Sequence, residues 1–423
     1  MNVYDPLYGR FELSLLSSEL CVLPEVRRLS QIRLLNSMSP SLATLAELRR
    51  YAHTLGVLHL FDIWRGGSGR KYSREELDAL EVAIILHDVA TPPFGHLFEY
   101  ILKEATGWDH ESAAVTTLLK EYSPASTAQK IYAGKTPKVL DWIERRHVNL
   151  DIVKAILTKK HKLSGLIMGV VDFDNLDNVW RMAWALGLKV DTKVPKMLAE
   201  AVDVDENGNL LLVPGAEDLL PLWASLRRAV YEVLVFDQPT VASQTVLTHC
   251  IRLGLTRGDI SSEDWFLHDE SLLTKLSSNP ELRALVEQQY LGKLPESLLT
   301  LQIRWKDLSF YKLPRAEIER MILDSLQKIG KEEYWVYVFK ERGSFEKRVQ
   351  YSIRGGKSYT MGSVSESLVI SVFSGRPLSS AQRRLSTNAV VDLLQQQGVG
   401  LNDLVRCIEA GDESITFSSE LPL

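Results

Sequence analysis

Apolar and polar positions along this chain follow two rhythms, and the change of rhythm divides it. From about residue 10 to residue 200 the apolar positions recur three or four apart, which predicts a series of helices. At Ser73 the segment SREEL places a serine three residues before Glu76, the spacing of a capping box, and the apolar run Leu80 to Leu86 carries that helix into the interior. From Asp174 to Leu186, Leu176, Val179, Trp180, Ala183 and Trp184 share a helical face. Residues 203 to 215, DVDENGNLLLVPG, read as a turn with a short strand or extended loop. A helix follows from about Ala216 to Phe236, and a further one through the 240s.

After about residue 330 the period shortens. EYWVYVFKE alternates aromatic and β-branched residues, VQYSIR follows from Val349 after a polar turn, and SLVISVF begins at Ser367. These are three predicted strands, and a last helix is expected from Ser380 to Gln396. The expected fold is mainly α: a helical domain over residues 1–270, then a helical extension and a smaller α/β lobe over 271–423. There is no internal repeat and no low-complexity segment.

Composition narrows this little. The 423 residues are 45% hydrophobic and 24% charged, ordinary for a globular chain large enough to need no disulfide support. Cys21, Cys250 and Cys407 are scattered and form no CxxC pair, which argues against a zinc ribbon or a disulfide framework. The N-terminus lacks a basic-then-apolar signal pattern, and no run approaches the ~20 apolar residues that span a bilayer. A reducing, cytoplasmic setting without a membrane is expected. The formal net charge of −5 gives no global pull toward nucleic acid, so a polyanionic substrate needs a local basic pocket.

Histidine placement carries the chemistry. Five of nine histidines lie between 53 and 110: His53, His59, His87, His96 and His110. His87-Asp88 ends the apolar run VAIIL, where a charged pair is costly unless satisfied, and a metal ion satisfies both groups. His53 and one of Asp172, Asp174 and Asp177 are candidates to complete the set. Two imidazoles and two carboxylates suit Mn, Fe, Zn, Co or Ni better than Ca. A second such pair, His268-Asp269 in SSEDWFLHDE, reads as a surface pair. Arg50 stands three residues before His53, on the same helix face, where it would grip a phosphate oxygen beside the metal. His96 and Glu99 are likewise i, i+3 partners, fit for a carboxylate–imidazole proton relay. Lys159, Lys160 and Lys162 precede the Asp174 helix, where phosphate binding and a solvated basic face are equally good readings. His59, His147, His161 and His249 are assigned no function.

Several of these segments, in order, resemble a known family. DPLYGRFEL with PEVRRLSQIRLL, RRYAHTLGV, HDVATPPFGHLFE, WDHE and DFDNLDNVWR are similar to successive boxes of the HD superfamily, and within it of the deoxynucleoside triphosphate triphosphohydrolases, over roughly residues 3 to 255. The resemblance implies an HD-domain helical bundle around one divalent transition metal, with His53, His87, Asp88 and Asp174 as ligands. It also implies an active-site role for His110 and a triphosphate contact at Arg227 or Arg228. Further implications are a nucleotide substrate with its own Mg, an allosteric nucleotide and a homo-oligomer.

Three positions depart from the family pattern. Thr91 stands where the HDxxH box has its second histidine. Asn178 replaces a tyrosine that packs on the sugar, and Leu34 replaces a glutamine that helps recognise the 3′-hydroxyl. The expected reaction is hydrolysis of a dNTP to a deoxynucleoside and triphosphate. An HD-type nuclease or phosphodiesterase acting on nucleic acid, and a nucleotide sensor with weak catalysis, are the alternatives. The C-terminal lobe is expected to serve assembly or regulation.

Overall fold

The structure is a computed structural model, and it describes residues 1–119 and 138–409. A short hairpin of β1 (Asn2–Asp5) and β2 (Gly9–Glu12) opens the chain, ahead of the helical rhythm read from the sequence. The helical body is built from the helices Arg50–Gly66, Arg74–Leu86, His96–Thr106, Phe173–Ala185, Leu220–Phe236 and Gln238–Arg257. Ser73 and Glu76 close the predicted capping box reciprocally. One large core unites these helices, with Trp64, Trp180 and Trp223 fully buried in it. The helices Asp269–Leu276 and Pro280–Leu291 add Leu272, Leu276, Leu282 and Val286 to the same core.

The C-terminal lobe has its own core around an antiparallel sheet. Its strands are β5 (Glu296–Arg304), β6 (Tyr334–Arg342), β9 (Glu366–Ser374) and β10 (Leu404–Glu409), in the order β10-β5-β9-β6. The helix Arg315–Gln327 packs Ile318, Ile322 and Leu326 against Val336, Val338 and Ile370 of one face, and Val390 and Leu394 of the helix Ser380–Gln396 join them. The opposite face docks on the helical body through Trp335 and Phe373, which meet Val241, Ala242 and Val246. β9 is therefore covered on both sides, which is why SLVISVF carries apolar residues on both faces, broken only by the buried Ser371, rather than an alternation.

The predicted strand at Val349 does not join that sheet. β3 (Val202–Val204) and β4 (Leu210–Leu212) form a hairpin in the helical body, and β7 (Val349–Ile353) pairs in parallel with β4, followed by β8 (Ser358–Met361). The chain thus returns from the lobe to the body before β9. Among the described residues no helix is long and apolar enough to cross a membrane.

Candidate metal centre

His53 sits in the first turns of the helix Arg50–Gly66, and His87 and Asp88 directly follow the helix Arg74–Leu86. Both segments are anchored deep in the core, and all three side chains are buried. Asp174 enters from the first turn of the helix Phe173–Ala185, which crosses the His53 helix closely. Gly56 permits that approach, since a methyl there would overlap the Asp177 carboxylate and the Arg181 guanidinium.

The four groups converge. His53 Nε2 lies 2.8 Å from Asp174 Oδ1, His87 Nε2 lies 3.6 Å from the same oxygen, and His87 Nε2 is 3.9 Å from Asp88 Oδ2. Metal–ligand bonds of about 2.0–2.2 Å place ligand atoms roughly 3 to 4.4 Å apart, so these spacings suit one ion. Donor atoms of His53, His87 and Asp88 all lie within 4.8 Å of one another. The orientation of each imidazole is set from behind. His87 Nδ1 lies 2.6 Å from the Ile84 carbonyl, which can only accept, so in the neutral ring Nε2 carries the lone pair, and it faces the two carboxylates without a hydrogen bond. His53 Nδ1 meets Asp177 Oδ2 at 2.7 Å, and Asp177 is clamped by Arg181, which also reaches Asp5.

The electrostatics call for positive charge at this point. Burial opposes a charged His53, yet its hydrogen bonds to Asp174 and Asp177 outweigh that and push its pKa up to about 10. Burial likewise opposes a charged Asp174, but the two imidazoles hold it well below the usual carboxylate range. An orphaned, buried imidazole nitrogen beside two carboxylates is a donor set that fits a divalent transition metal.

Around this centre the other expected residues take definite places. Arg50 Nη1 donates to both oxygens of Asp88 at 2.9 Å, so it is held beside that carboxylate while still lining the cavity. Thr91, where the family pattern has a histidine, donates to Asp88 Oδ1 at 3.0 Å. Glu99 bridges two histidines: Oε2 is 2.7 Å from His96 Nδ1 and Oε1 is 2.6 Å from His110 Nδ1. Burial works against charge on Glu99 and His110 alike, but their mutual bond keeps the carboxylate strongly ionised and raises the imidazole above its ordinary value.

Lys159 lies at the cavity and pairs with Glu111 at 3.2 Å, whereas Lys160 is exposed and outside the cavity lining, and Lys162 pairs with Glu206. Arg227 is buried against the Tyr231 ring at 4.4 Å and donates to the Ser344 carbonyl, while Arg228 is exposed and pairs with Glu232. Leu34 and Asn178 both face the cavity, and the Asn178 Oδ1 has no partner. His59 stacks on Phe11, His161 accepts from the Leu163 N–H, and His249 packs on Trp335.

The reading of His268-Asp269 as a surface pair is overturned. Asp269 is fully buried and accepts the backbone N–H groups of Phe94 and Arg33, both at 2.8 Å. Phe94 has a φ of 56°, costly for an aromatic residue, and Gly95 follows at 57°, where a Cβ would lie 2.7 Å from Arg50 Nη2. Asp269 therefore holds the turn that leads into His96. The sequence hid this because a polar neighbourhood says nothing of what folds over it. Asp177 was more accessible, as it stands i, i+3 from Asp174 and i, i+4 from Arg181.

All this opens on a cavity of about 470 Å³. Its walls include the metal-centre residues, Asn36, Asp172, Tyr100 and Tyr231, and also Tyr337, Phe339, Ser344, Val369 and Ser371 from the C-terminal lobe. No curated protein matches the chain. Among solved structures, the fold is similar to that of a phosphohydrolase from Bacteroides thetaiotaomicron VPI-5482, with a TM-score of 0.59 and 15% identity, covering 88% of this chain and 99% of the other. The HD domain family matches residues 50–177, a span that begins at Arg50, ends at Asp177 and contains all four converging side chains. Residues 50–177 of this chain are thus an HD domain, with His87 and Asp88 at its centre.

Proposed function

We propose that the protein is a metal-dependent phosphohydrolase acting on a nucleotide, in its most specific form cleaving a dNTP to a deoxynucleoside and triphosphate. The observation that carries the reading is the grouping of His53, His87 and Asp88, with Asp174 bonded to His53, inside an HD domain and on a cavity shared with His96 and His110. The similarity of fold to a phosphohydrolase supports it.

His53, His87, Asp88 and Asp174 would hold a divalent metal, which when bound would supply Lewis-acid activation of the phosphoryl group and of a water. The chain supplies the rest. Arg50 and Lys159 add positive charge at the cavity wall, where phosphoryl oxygens gain charge in the transition state. Hydrolysis at the α-phosphorus forms a bond to water oxygen and breaks the bond to the 5′ oxygen, which must gain a proton. His110, kept protonated by Glu99, donates it, and His96, oriented by the same carboxylate, takes the proton from water. Asn178 borders the sugar site, and Arg227 backs the wall that meets the phosphates. A Mg accompanying the nucleotide, a homo-oligomer and an effector nucleotide belong to the proposal on the resemblance alone.

The test is incubation of the purified protein with each dNTP, each rNTP and a single-stranded oligonucleotide in Mn or Mg, with products resolved. Release of triphosphate supports the reading. Metal-loaded protein that hydrolyses only the oligonucleotide, or nothing, overturns it. The double variant His87→Ala, Asp88→Ala must lose the metal by elemental analysis.

A further inference from the structure

We infer that the C-terminal sheet is part of the substrate site, and that Tyr337 and Phe339 form the wall on which the flat organic ring of the substrate lies. The inference rests on the proposed function for one point only, that the phosphate end of the substrate occupies the metal centre.

The register of β6 and β9 defines the wall. Trp335 faces Phe373, Tyr337 faces Ser371 and Phe339 faces Val369. Side chains two apart share a face, so these three cross-strand pairs form one stripe directed at the helical body. Val336 and Val338, on the other face, belong to the lobe's own core. Trp335 and Phe373 dock on Val241, Ala242 and Val246, with Tyr337 packed beside them, and Val369 packs with Phe236 and Phe345, with Phe339 against them. Both residues of each of the last two pairs also line the cavity.

This wall adjoins the proton-handling histidines. The Tyr100 ring is 6.2 Å from the His96 ring, and the Arg315 guanidinium lies 4.4 Å from the centroid of Tyr100 and 5.9 Å from that of Phe339. His96, Tyr100 and, through the Arg315 guanidinium, Phe339 of β6 thus lie side by side. Tyr231 adds a further ring on the cavity. An aromatic surface of this kind favours a flat ring by stacking, whichever ring it is, whereas phosphate gains nothing from it. Ser371, opposite Tyr337, is buried and hydrogen-bonded to Thr300 at 3.0 Å, and Gln244 offers an amide at the same cavity for the ring's polar edge. A cavity of about 470 Å³ lies within the range that encloses a whole small ligand, so one molecule reaches both the metal centre and the wall. With an aromatic wall flanked by Arg315 at one end and the candidate metal site at the other, the matching substrate class is a nucleotide whose base lies on β6.

The experiment measures binding of nucleosides, which lack phosphate, and of tripolyphosphate, which lacks a ring, to metal-loaded full-length protein by calorimetry. Tyr337→Leu and Phe339→Leu keep apolar volume and remove the ring. Each is expected to weaken nucleoside binding on the order of tenfold, with tripolyphosphate binding and metal content unchanged. Two variants guard against one failing to fold. Unchanged nucleoside affinity in both variants, or equal loss for tripolyphosphate, overturns the inference. Wild type that binds tripolyphosphate but no nucleoside also overturns it, while leaving the metal-centre reading intact. Wild type that binds neither tripolyphosphate nor any nucleotide defeats the proposed function, and this inference with it.

Discussion

Asp177→Asn tests whether the metal centre depends on the residues behind it. The carboxylate is fully buried and accepts three hydrogen bonds: His53 Nδ1 at 2.7 Å and Arg181 Nε at 2.8 Å on Oδ2, and Arg181 Nη2 at 2.9 Å on Oδ1. An amide has one oxygen for these two positions. If it takes the place of Oδ2, the amide nitrogen meets Arg181 Nη2 donor to donor. If it takes the place of Oδ1, His53 must change tautomer and present a protonated Nε2 to the metal. Either way a charge-assisted bond worth about 1.5–3 kcal/mol is lost, and Arg181 keeps only Asp5 as an anionic partner. Removing one member of a buried ion pair costs about 3–5 kcal/mol, so a loss near 3 kcal/mol is expected for this partial removal. Groups that orient a metal-ligating imidazole are typically worth ten- to a hundredfold in affinity, and that drop is expected here. Chelator competition measures the affinity, and denaturant unfolding of metal-free protein measures the stability separately. A metal affinity within about threefold of the parent's, in a variant that folds, refutes the claim that Asp177 sets the His53 ring.

Three further outcomes are expected. In Glu99→Gln, His110 should titrate nearer its ordinary 6.5, read by NMR of the imidazole, and turnover should fall roughly 100-fold with metal retained. The stability lost in that variant has a defined pH window. The depressed Glu99 pKa contributes above 4.5 and the raised His110 pKa contributes fully below 6.5, so the difference from wild type should peak between these values, and shrink as pH rises through the raised His110 pKa or falls toward the depressed Glu99 pKa. Gly56→Ala should push the helix Phe173–Ala185 off the His53 helix, costing about 1–3 kcal/mol or more by overpacking and lowering metal affinity; a variant with native stability would show that the two helices can separate freely. Asp269→Ala leaves Arg33 and the Phe94 N–H without their carboxylate; kcat should fall while metal content holds, and an unchanged kcat would show that the turn into His96 holds itself.

Much of this protein is legible in its residues because local rules and global packing agree there. Helical periodicity and a Ser73–Glu76 capping box fix the Arg74–Leu86 helix, and the charged pair at its apolar end announces a group that must be satisfied. The helix Ser380–Gln396 and strands β6, β7 and β9 follow from their periods in the same way. β5 escaped, since LLTLQI is a short apolar run that periodicity cannot assign to strand or helix. Its partner β10 pairs with it from more than ninety residues away in the chain, and no local signal records that. The same limit governs the site. Spacing on one helix brings His96 to Glu99, but only folding sets His110 on the other oxygen of that carboxylate, Asp269 on the Phe94 N–H, and β7 beside β4. Alternation in EYWVYVFKE shows that Tyr337 and Phe339 share a face; it cannot show that this face closes over the metal centre. A side chain's type and its neighbours within a turn are written in the sequence, while what it meets across space depends on how distant apolar faces pack, and here that packing made the C-terminal sheet a wall of the cavity that His53, His87 and Asp88 also line.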